Sequence, residues 1–130
     1  MRPTILKLAS LLLLLSAAAT SLFGQSAQPK VVASTSWTAA FARAAGAEEV
    51  TVLAPTTLQH PPEYELKPSD LQKIKEADLI IYAGYEQMAP RLASSADKKD
   101  ALLQITTVNA PGVIADNLMA IARRLGTENT

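Results

Sequence analysis

The chain of 130 residues has no cysteine. A disulfide is therefore impossible, and so is a lipid-modified N-terminal cysteine. It has a single histidine, His60, and a single tryptophan, Trp37. One imidazole cannot build a closed metal site, because structural zinc takes four ligands from Cys, His and carboxylates and catalytic zinc takes three plus water. Its five glycines form no glycine-rich loop after a strand, so a phosphate cradle is unsupported. Twelve basic and twelve acidic residues cancel, with no basic stripe or patch of the kind that an electrostatic nucleic-acid binder shows. Nothing in the composition points to an organic cofactor.

What is present begins with an export signal. Arg2 and Lys7 supply a positive region, and Leu8 to Ala19 an apolar stretch dominated by Leu11 to Leu15. Ala19-Thr-Ser21 is the best small-x-small cleavage match. The apolar run is short of the ~20 residues that a membrane span needs. An uncleaved N-terminal anchor is the competing reading. Residues 1–24 are assigned to the signal peptide, 25–29 to a polar leader and 30–130 to a single α/β unit. Beyond residue 24 all twelve acids and ten bases remain, for a net charge of −2. Export without disulfides suggests a bacterial periplasmic protein held together by its core.

The remaining ~105 residues suffice for one small domain. Val31–Ser36 is β-branched and predicts a first strand. Trp37, Ala40, Phe41 and Ala44 have helical spacing, and Gly46 is a stop. Val50–Leu53 predicts a second strand, leading into the proline-rich loop that holds His60. Ser69–Glu76 predicts a helix after Pro68, with Ser69 or Asp70 able to accept from first-turn N–H groups. Ala77–Ala83 is nearly unbroken apolar sequence, as in a strand buried on both faces of a parallel sheet. Glu86–Ser94 predicts a helix despite Pro90, Asp97–Asp100 a solvated turn, and Leu102–Val108 a fourth strand. Pro111–Leu125 predicts the best helix, with Ile114, Leu118, Ile121, Ala122 and Leu125 on one stripe and Gly126 at its end. Four strands alternating with helices predict right-handed crossovers and a mainly parallel four-stranded sheet with helices on both faces.

In an open sheet of this kind, ligands bind beyond the carboxyl ends of the strands, and the loop Ala54–Pro68 leaves one of those ends. His60 is thus the candidate metal ligand, with Glu63 and Glu65 near it in sequence. Spacing alone favours an ordinary exposed loop histidine. Ser34, Thr35 and Ser36 stand where a reactive hydroxyl could stand, but no Gly-x-Ser-x-Gly elbow accompanies them. Contact with a ligand, or capping of the helix near Trp37, is the better reading. A carboxylate pair could be drawn from Glu63, Glu65 and Asp70, as from any acidic loop. Trp37 and Tyr64 could line a cleft, while core and rim packing is the plainer role for Trp37 and Tyr82.

Four segments carry a family resemblance: Val31-Val-Ala-Ser-Thr-Ser-Trp37, Val50-Thr-Val-Leu-Ala-Pro55, His60-Pro-Pro-Glu-Tyr-Glu-Leu-Lys-Pro-Ser-Asp-Leu71 and Ala77-Asp-Leu-Ile-Ile-Tyr-Ala-Gly84. They resemble the N-terminal lobe of the zinc, manganese or iron solute-binding proteins of ABC transporters. Tyr64, Glu65, Pro68 and Asp70 fall in register with the family's Asp-Pro-His-x-Tyr-Glu-Pro-x-Pro-x-Asp segment. In that register the family histidine falls on Pro62, and His60 stands two places earlier. Two residues of chain span up to ~7 Å, so His60 substitutes only if the Pro-Pro loop is re-routed. The family's next histidine has no counterpart in Thr107–Gly112, where Asn109 is the only side chain of use and a poor zinc ligand.

The resemblance implies a non-enzymatic, monomeric periplasmic receptor. It would capture a divalent transition metal as cargo and present it to a membrane permease. It also implies a truncated first lobe, since the family's further ligands come from a second. The rival expectations are a degenerate one-lobe interaction module without metal binding and, remotely, a small hydrolase using Ser34 or Ser36 with His60.

Overall fold

The computed structural model describes residues 28–97 and 99–129; the signal segment 1–24 lies outside them. Four strands, β1 (Val31–Ala33), β2 (Val50–Val52), β3 (Leu79–Tyr82) and β4 (Leu102–Gln104), form one sheet in the order β2-β1-β3-β4. Every pairing is parallel, with Val31 opposite Val50 and Leu79, and Ile80 opposite Leu102. Four α-helices alternate with them: α1 (Ser36–Ala44), α2 (Pro68–Glu76), α3 (Ala89–Ser95) and α4 (Pro111–Leu125).

The period-2 alternation of each strand divides the core into two layers. Val32 and Ile80 face Leu66, Ile74, Met88 and Leu92, which come from α2, α3 and their approaches. Val31, Leu79 and Ile81 face Ala42, Ile121 and Ala122 from α1 and α4. This explains the unbroken apolar run at Leu79–Ile81, where all three residues are at most 1% exposed. Helix placement follows from connection hand. The chain steps outward from β1 to β2, then reverses across β1 to β3, and a right-handed crossover must change face when the direction reverses.

The strands are shorter than their apolar runs. Single parallel bonds continue past the strand ends: Ser34 N–H donates to the Ile81 carbonyl at 2.9 Å, and Ala54 N–H to the Ser34 carbonyl at 3.0 Å. Ser36, read as strand, is instead the first residue of α1. Thr35 caps that helix, its Oγ1 accepting from Thr38 N–H (3.4 Å) while its own N–H donates to Thr38 Oγ1 (3.1 Å). Pro111 and Gly126 bracket α4 as expected, and Gly126 takes the left-handed φ of 74° that ends a helix.

Two boundaries moved substantially. The fourth strand stops at Gln104 rather than Val108, and the following segment is fastened by Asn117, whose Nδ2 donates to the Thr106 carbonyl at 2.6 Å. The predicted helix Glu86–Ser94 begins at Ala89, so that Pro90 falls in its first turn, where a missing N–H is harmless. Glu86 lies outside the helix altogether. Among the described residues no helix is long and apolar enough to cross a membrane.

Candidate functional site

The order β2-β1-β3-β4 puts the topological switch between β1 and β3, because the chain leaves these two strands in opposite directions. A doubly wound sheet opens its ligand crevice beyond the carboxyl ends of such a pair. Three loops meet on this rim: the β1–α1 turn (Ser34, Thr35), the β2–α2 loop (Ala54 to Lys67) and the β3–α3 loop (Ala83 to Met88).

His60 is on the second of these and is exposed. It precedes a 3-10 turn, Pro61–Glu63, closed by Glu63 N–H donating to the His60 carbonyl at 3.0 Å. Two consecutive prolines with φ fixed near −65° suit such a turn, and neither has an N–H to satisfy. The imidazole borders a surface hollow lined by Thr57, Leu58, Gln59, Glu63, Tyr64 and Glu65. The structure therefore brings His60 into one neighbourhood with both nearby glutamates. Among the described residues, no group of three or more His, Asp or Glu side chains is arranged to hold a metal ion.

Asp70 does not join that neighbourhood as a ligand. It is 2% exposed and fully engaged. Its Oδ2 accepts from Tyr64 Oη (2.7 Å) and Lys67 N–H (3.0 Å), and its Oδ1 from Lys73 Nζ (3.0 Å). Burial by itself would raise its pKa, but the donors Lys67, Tyr64 and Lys73 together hold it below the usual carboxylate value. Burial, then the hydrogen bond and charge of Asp70, pushes the Tyr64 hydroxyl up to about 12. Asp70 rather than Ser69 satisfies the start of α2. The Tyr-Glu-x-x-Pro-x-Asp spacing is therefore a structural device, a helix start that clamps the end of the His60 loop.

Glu86 is the residue that sequence reasoning missed. It is 3% exposed, and its carboxylate lies at the switch point. Oε1 accepts from Ser34 Oγ (2.5 Å) and Ala83 N–H (2.9 Å), and Oε2 from Gly84 N–H (2.6 Å). Ser34 Oγ also pairs with Thr38 Oγ1 at 3.2 Å. Gly84 permits this arrangement with a φ of 95°. A lone glutamate two residues after a strand-ending glycine was the one available signal.

The Ser34 hydroxyl is buried and committed to Glu86 and Thr38, while Ser36 is exposed in the first turn of α1. Among the described residues neither makes a hydrogen bond with His60. Trp37 and Asn109 belong to a different surface, an apolar groove between α1 and α4 that also includes Phe41, Val108 and Ile114. Trp37 is 52% exposed there, edge-on to Phe41, so it is a surface aromatic rather than a core one.

A parallel doubly wound sheet opens its crevice at the carboxyl rim, and this chain carries its imidazole on a loop of that rim. The family described as zinc-uptake complex component A, periplasmic, matches residues 31–123, and the chain belongs to it. A high-affinity zinc uptake system protein, ZnuA, of Haemophilus ducreyi is 37% identical over 73 residues, which cover 55% of this chain and 23% of that protein. Manganese-bound and cadmium-bound structures of a periplasmic metal-binding protein from Candidatus Liberibacter asiaticus share the fold, each with a TM-score of 0.58 at 16% identity. These alignments cover 76% of this chain and 49% of the solved one, so the chain spans about half the length of these solved relatives.

Proposed function

We propose that the chain is the N-terminal lobe of a periplasmic solute-binding protein of a metal-ion ABC transporter. It captures a divalent transition metal as cargo and presents it to the membrane permease. His60 is the ligand contributed by this lobe, with Glu63 or Glu65 as a carboxylate partner. The observation that carries this reading is the exposed rim position of the only imidazole, in a chain whose family is a zinc-uptake component. Neutral imidazole with carboxylate suits zinc, manganese or iron. Two or three donors, with water in the remaining positions, suffice for measurable binding, and ligands from a second lobe would raise the affinity. The cargo undergoes no covalent chemistry. Function resides in affinity and in the surface offered to the permease, and the lobe works as a monomer exported by the segment 1–24.

Calorimetric titration with zinc and with manganese tests this. Micromolar or tighter uptake that disappears in His60→Ala supports it. A folded protein that takes up neither metal refutes it.

A second reading is favoured by one observation: no three-ligand group exists among the described residues. Together with the two-place displacement of His60 from the family register, this suits a lobe that has lost metal binding and serves as a secreted interaction module. The same titration separates the two.

A further inference from the structure

Although its end is clamped through Tyr64 and Leu66, the loop from Pro55 to Leu66 has few backbone tethers to the rest of the fold. Its backbone bonds Leu58 N–H to Pro55, Glu63 N–H to His60 and Tyr64 N–H to Pro61 are all local. Among the described residues, one non-local backbone bond reaches it: Gln87 N–H donates to the Pro62 carbonyl at 2.9 Å. The donor is the residue after Glu86.

We infer that Glu86 is a positioning residue for the His60 loop. Its two oxygens hold Ser34 Oγ, Ala83 N–H and Gly84 N–H, which fixes the path of the β3–α3 loop and so the direction of the Gln87 N–H. That N–H in turn sets the Pro61–Glu63 turn, whose carbonyl-to-amide closure begins at His60 itself. Through Ser34 and Thr38 the same carboxylate is joined to the capped start of α1. One buried side chain thus holds in register all three loops that meet at the switch point. All three of its partners are donors. A carboxylate accepts at both oxygens, whereas a glutamine amide would turn a donor toward one of them. The metal part of this inference rests on the ligand role proposed for His60; the positioning part does not.

The test is Glu86→Gln in the full chain, read three ways. Amide hydrogen exchange at Gln87 should accelerate about tenfold, the scale of one lost hydrogen bond, while exchange at Ile121, in the opposite core layer, stays unchanged. The imidazole resonances of His60, unambiguous because it is the only histidine, should shift or broaden. Zinc affinity by calorimetry should fall about tenfold. If Gln87 and Ile121 accelerate together, or if neither they nor the imidazole signals change, the inference is overturned. If the parent chain binds no zinc, the metal proposal fails, and the amide and imidazole readings still decide the positioning role. Should Glu86→Gln not fold, Ser34→Ala removes one of the three bonds. It should accelerate Gln87 exchange about threefold, and no change there overturns the inference equally.

Discussion

Asp70→Ala should be among the most damaging single changes outside the apolar core. The carboxylate is buried and accepts from three donors, of which Tyr64 Oη at 2.7 Å and Lys67 N–H at 3.0 Å share Oδ2. Its removal leaves the half-buried tyrosine hydroxyl and the amide at the start of α2 without an acceptor. A hydrogen bond to a charged group contributes about 1.5–3 kcal/mol, and a lost helix cap about 1 kcal/mol. The Lys73 ion pair adds little, because that ammonium side chain is 45% exposed. The expected loss is about 2–4 kcal/mol in urea unfolding at pH 7, which lowers Tm by roughly 10–25 °C for a domain this small. Because the folded state holds the Asp70 pKa below its usual 3.8, its contribution is complete above that value and is lost as the pH falls through the folded one. The gap between wild type and Asp70→Ala should therefore narrow when unfolding is repeated at pH 3. A difference under about 0.5 kcal/mol at pH 7, within the range of an ordinary surface substitution, or a gap that widens in acid, refutes the reasoning.

Tyr64 gives the alkaline counterpart. With its hydroxyl pushed up to about 12, its contribution is complete below pH 10 and is lost as the pH rises through 12; Tyr64→Phe should flatten this part of a thermal stability–pH curve. Gly84→Ala should destabilise by about 1–3 kcal/mol, since φ is 95° and a Cβ would collide with the Gln104 side-chain amide. Gly112→Ala, with nothing within 4 Å, should be neutral or slightly stabilising in the same denaturant titration.

Much of the fold was legible because burial leaves periodic traces. Leu79–Ile81 could be read as a two-faced strand without coordinates, since both layers require apolar side chains there. The α4 boundaries were legible at both ends, because Pro111 and Gly126 are each suited to one end of a helix. The segment around Glu86 was misread for the opposite reason. Helical propensity continues smoothly from Glu86 to Ser94, and only Pro90 marks where the helix can begin. Trp37 packs at the rim of a groove rather than in the core, because helical spacing identifies a face but not what covers it.

Composition and order alone determined that this is a parallel α/β unit with one imidazole on a carboxyl-rim loop, and that no disulfide can reinforce it. These properties follow from residue type and local pattern, which a chain carries whether folded or not. Tertiary structure decided what holds that loop. The bonds from Ser34 to Glu86 and from Gln87 to Pro62 join segments 52 and 25 residues apart. A polar side chain that finds its partners across the sheet leaves no periodic mark, so its burial emerges only when the strands have paired.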